Sequence, residues 1–91
     1  MTEKEIQLLG FEMQVDDGGG EWDKYHYYTY TVARGLEFIS NASDEVKEGE
    51  EWYVEFFESD PEIRLYDFGQ AQALLNLLDK HKVKKEKKEP N

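Results

Sequence analysis

Tyr25-His26-Tyr27-Tyr28-Thr29-Tyr30-Thr31-Val32 decides the architecture. Aromatic and β-branched side chains suit a pleated surface, and neither face of the segment carries a carboxylate, Lys or Arg, so it is predicted to be a central strand. Upstream, Leu9, Phe11, Met13 and Val15 alternate with Glu12 and Gln14, the period-two pattern of a half-buried strand spanning 9–15. Between the two lies Asp16-Asp17-Gly18-Gly19-Gly20, whose glycines permit almost any turn. Downstream, Ala33-Arg34-Gly35 turns the chain into Leu36-Glu37-Phe38-Ile39-Ser40, a hairpin partner. After a polar loop over 41–51, Trp52, Val54 and Phe56 alternate inward on a fourth strand. Ser59-Asp60-Pro61-Glu62 is a turn, and Ile63-Arg64-Leu65-Tyr66 is a short fifth strand.

At Asp67 the period changes. Asp67 suits an N-cap with Gln70 three residues on, and Phe68, Ala71, Leu74, Leu75 and Leu78 recur at helical spacing, with Gln72, Asn76 and Asp79 on the other side. The expected fold is therefore α+β: an antiparallel β-meander of about five strands with one C-terminal amphipathic helix, 68–80, packed on one face. One helix covers one face, so the other face is left for solvent, a partner or a second copy.

Ninety-one residues, 38% hydrophobic, supply one core and too little material for two. Residues 1–79 form the domain, with 19 acidic and 5 basic side chains, a net charge of −14; residues 80–91 form a basic tail of net +4, expected to be disordered because Val83 is its only clearly apolar residue. Such an acidic body argues against direct binding of nucleic acid or an anionic membrane. The chain has no cysteine, which excludes disulfides and thiolate chemistry. No apolar run approaches the length of a spanning helix, and Met1-Thr2-Glu3-Lys4-Glu5 lacks the layout of a signal peptide, so a cytoplasmic protein is expected.

Catalytic signals are sparse. His26 and His81 have no Ser, Asp or second His at a recognisable spacing, and His26 reads as a strand-face imidazole among tyrosines rather than a general base. The loop 16–23 carries Asp16, Asp17, Glu21 and Asp23 around its glycines and suits a hard cation such as calcium, but it lacks the ligand spacing of an EF-hand; no metal or cofactor is assigned. Glu50 with Glu51, and Glu55 with Glu58, are paired carboxylates of the type used in glycoside hydrolysis, read here as surface charge in a chain too short for a sugar cleft. Asn41-Ala42-Ser43 is a glycosylation sequon that is inert without secretion.

The strings Leu8-Leu9-Gly10-Phe11-Glu12, Tyr27-Tyr28-Thr29-Tyr30, Phe38-Ile39-Ser40-Asn41, Trp52-Tyr53-Val54-Glu55-Phe56-Phe57 and Ile63-Arg64-Leu65-Tyr66-Asp67 resemble those of small proteins encoded by phages and prophages. That resemblance brings no catalytic motif. It implies one class of activity, inhibition of host nucleic-acid enzymes by carboxylates that stand in for phosphates, as in anti-CRISPR and anti-restriction proteins.

The expected function is therefore a non-enzymatic acidic interaction module that meets a basic protein surface. Its expected contacts are Asp16, Asp17, Glu21, Asp23, Asp44, Glu45, Glu48, Glu50 and Glu51, in the two long loops, with Tyr and Trp on the uncovered sheet face as anchors. The rival reading is a self-associating structural or accessory protein that pairs a sheet face or edge with another copy. A small hydrolase is the distant third.

Overall fold

The computed structural model describes residues 1–16, 24–47 and 49–83. Its elements run α1 (Glu3–Leu8), β1 (Glu12–Asp16), β2 (Tyr25–Ala33), β3 (Leu36–Ser40), α2 (Ser43–Lys47), β4 (Val54–Phe56), β5 (Arg64–Leu65) and α3 (Phe68–Lys80). The five strands form one antiparallel sheet in the order β1-β2-β3-β4-β5, so the expected meander is present. The aromatic run is the longest strand and is flanked on both sides.

Register sorts the side chains. Tyr28 lies across from Met13, Tyr30 across from Phe38, Phe38 across from Phe56, and Val54 across from Leu65, which sets these residues on one face. That face holds the core: Ile6 from α1, Phe11, Tyr28, Val32, Phe38, Trp52 and Val54, closed by Ala71 and Leu75 of α3. The Phe38 and Phe56 rings meet at 4.5 Å. Helix α3 begins where Asp67 accepts a hydrogen bond from the Gln70 amide at 2.9 Å, satisfying one of the amides that the first helical turn leaves unpaired. Ala71 and Leu75 are buried and Leu74 and Leu78 pack at their flanks, while Gln72, Asn76 and Asp79 face out.

Two expectations need correction. The segment 9–15 is not one strand: Leu9 caps α1, Gly10 turns the chain at φ +98°, and pairing starts at Glu12. Met13 and Val15 share the core face but remain 49% and 67% exposed, outside the buried cluster. The polar stretch 41–51 contains α2, and α1 precedes the sheet, so the C-terminal helix is joined by two short ones. Asn41, the first residue of the sequon, has a structural part: its side-chain amide donates to the Glu51 carbonyl at 2.9 Å, and its oxygen accepts from the Tyr53 amide at 3.0 Å. Those bonds close the excursion through α2. The tail reading over 84–91 lies outside the described residues.

Candidate functional site

The face opposite the core draws side chains from every strand of the sheet. Side chains on a strand alternate, so Tyr28 and Tyr30 pointing into the core turn Tyr25, Tyr27 and Thr29 to the other side. The same alternation brings Gln14 and Asp16 of β1, Ile39 of β3, Tyr53 and Glu55 beside β4 and Arg64 of β5 to that side. The core cluster draws nothing from this row. At its centre is a depression of about 320 Å³, whose wall includes Asp16, Tyr25, Tyr27, Glu45, Tyr53 and Glu55.

Two structural units build it. On one side, Tyr25 and Tyr27 stand two residues apart with ring centroids 6.3 Å from each other, and the Tyr25 hydroxyl donates to Asp16 Oδ2 at 3.1 Å across the β1-β2 ladder. That hydrogen bond, followed by the negative charge of Asp16 itself, pushes the Tyr25 phenol above the ordinary tyrosine range; Asp44 adds to it. On the other side, Arg64 lies over the Tyr53 ring with Cζ 4.5 Å from its centroid. Its Nε donates to Glu55 at 3.2 Å and its Nη2 to Glu62 at 2.9 Å. Tyr53 is buried, and that burial pushes its phenol up; Arg64 opposes the shift, while Glu55, Glu45 and Glu50 reinforce it. The Tyr66 phenol, ahead of the carboxylates Glu55 and Glu62, pushes Arg64 further toward its charged form.

The expected contact residues divide. Asp16 and Glu45 meet at the depression, Asp16 as the last residue of β1 and Glu45 from the first turn of α2, where it also accepts from the Ala42 amide at 3.1 Å. Asp44 is a helix residue too, not a loop one, and lines a separate hollow with Lys24, His26, Ser43 and Lys47. Glu50 acts on Tyr53 electrostatically, whereas Glu51 is engaged by the Met1 amine at 2.8 Å and so belongs to the fold. Asp17, Glu21, Asp23 and Glu48 lie outside the described residues, and with them most of the loop considered for calcium. Sequence reasoning set Glu55 aside as surface charge. Its strand parity, opposite to that of Val54 and Phe56, was the signal that places it beside the tyrosines.

His26 belongs to another group of residues. Its Nε2 lies 2.7 Å from Glu3 Oε2, which also accepts from the Tyr28 hydroxyl at 2.6 Å. Gln7 of α1 donates to that same hydroxyl at 3.0 Å, and the Trp52 ring lies 6.0 Å from the imidazole. The arrangement ties α1 to the central strand. Among the described helices none is long and apolar enough to cross a membrane. Comparison of the chain with protein families, with curated proteins and with solved structures finds no match.

Proposed function

We propose that the protein is a non-enzymatic interaction module whose open sheet face binds a basic surface of a protein partner. The observation that carries this reading is the combination on one face of three accessible tyrosines, Tyr25, Tyr27 and Tyr66, around the buried Tyr53, with carboxylates contributed by β1, α2 and β4. Tyrosine supplies large contact area at a small cost in conformational entropy and is enriched among the residues that anchor interfaces. The carboxylates set the sign of the surface it meets, in keeping with the −10 charge of the whole chain. A host nucleic-acid enzyme offers such a surface in its phosphate-binding groove, which extends the proposal to phage-type inhibitors of the anti-CRISPR or anti-restriction class.

The test is capture of partners on immobilised full-length protein, in low and in high salt, with the solution mass measured in parallel. Expected is a basic partner retained at low salt, released at high salt, and lost with Tyr27→Ser or Glu45→Lys while the circular dichroism spectrum is unchanged. Binding indifferent to salt and to both substitutions excludes the open face, and a dimer with no other partner favours self-association.

A further inference from the structure

We propose that the depression beside Tyr25, Tyr27 and Tyr53 seats an arginine side chain of that basic partner. This rests on the open face being the partner surface and goes on to name the group recognised. The first support is that this face already holds a guanidinium: Arg64 stacks over Tyr53 at 4.5 Å while Glu55 and Glu62 take its N–H groups. The same ingredients recur two strands away, in the tilted Tyr25 and Tyr27 rings with Asp16 and Glu45, where the described residues lining the depression include no Lys or Arg. A cation over a tyrosine face is attracted by the ring quadrupole, and a carboxylate at the ring edge adds charge-assisted hydrogen bonds.

Arginine fits this wall better than lysine for a geometric reason. Its planar fork stacks on a ring and donates in several directions at once, and the carboxylates here come from separate elements, Asp16 on β1, Glu45 on α2 and Glu55 on β4. An ammonium is more strongly hydrated and offers no plane to stack. The negative field that would hold the guest is already visible in the Tyr25 and Tyr53 phenols, which the surrounding carboxylates help to push upward. The chain's own basic tail contains lysines only, since Arg34 and Arg64 are the two arginines of the sequence, so a preference for arginine also separates a partner from the tail.

The experiment is a titration of isotope-labelled full-length protein, followed by amide resonances, with three short neutral-flanked peptides that differ only in a central arginine, lysine or citrulline. The arginine peptide is expected to shift Tyr25, Tyr27, Glu45 and Glu55 saturably. Tyr27→Ser is expected to weaken it by about threefold, the scale of one exposed cation–π contact. Citrulline keeps the shape without the charge and is expected not to bind. Equal binding of lysine or citrulline, or shifts confined to other surfaces, overturns the arginine site. In the second case an oligolysine that still binds the acidic surface at low salt leaves the interaction reading standing; failure of every basic peptide at low salt removes both.

Discussion

Glu3 accepts from Tyr28 at 2.6 Å and contacts His26 at 2.7 Å, and these bonds decide how the fold responds to pH. The Tyr28 hydroxyl, then His26, outweighs partial desolvation and lowers the Glu3 pKa. A carboxylate that binds its proton more weakly when folded contributes fully above the ordinary glutamate value of about 4.3, and that contribution is lost as pH falls through the folded value. Tyr28 behaves oppositely: burial, then its bond to Glu3, raises its phenol, so its contribution persists up to the ordinary tyrosine value of about 10 and is lost as pH rises toward the folded value. Urea unfolding across the pH range should show both limbs. Glu3→Gln is expected to flatten the acid limb, and Tyr28→Phe to flatten the alkaline one while lowering stability at neutral pH by about 1.5 kcal/mol, the scale of a hydrogen bond to a charged group. An acid limb unchanged in Glu3→Gln would assign acid sensitivity to other carboxylates.

At the scale of elements, α3 offers the cleanest contrast. Leu75 is buried in the core and Leu77 is 53% exposed two positions on. Leu75→Ala is expected to cost about 2–5 kcal/mol and Leu77→Ala less than about 0.5 kcal/mol, measured by urea denaturation. Asn41→Ala is expected to cost about 1–3 kcal/mol, because it strands the buried Tyr53 amide as well as freeing the chain through α2. The bounds of α3 were readable from residues alone: apolar spacing and the Asp67 cap act within the element and require no tertiary contact. The central strand was equally legible. Helix α1 was overlooked although its signals are local, since Thr2 accepts from the Glu5 amide, Glu5 reaches back to the Thr2 amide, and Gly10 ends the helix. Six residues show too few turns for apolar periodicity to register, and the alternation of Leu9, Phe11 and Met13 imitated a strand. The depression was harder to foresee. Its wall draws on β1, β2, α2 and β4, and only the pairing register brings Asp16 to Tyr25.

For the whole molecule, charge and sheet order act together. Nineteen carboxylates among the first 79 residues repel one another, and salt screens exposed charges over distances that shrink from about 30 Å at 0.01 M to about 3 Å at 1 M. The melting temperature is therefore expected to rise with sodium chloride; a fall would mean that pairs such as Arg64 with Glu55 outweigh the repulsion. The sheet order also leaves β1 at an end, where its outer backbone groups face no strand among the described residues. Such an edge is a template for another strand. Two copies meeting antiparallel at Gln14 would match Met13 with Val15, which is attractive, and Glu12 with Asp16, which is not, so two acidic residues guard a surface that the apolar ones would otherwise make adhesive. Glu12→Thr with Asp16→Thr is therefore expected to promote self-association through this edge, read as faster sedimentation than that of the unaltered chain. The two acidic residues of the outer strand then matter for what they turn away as much as for what they bind.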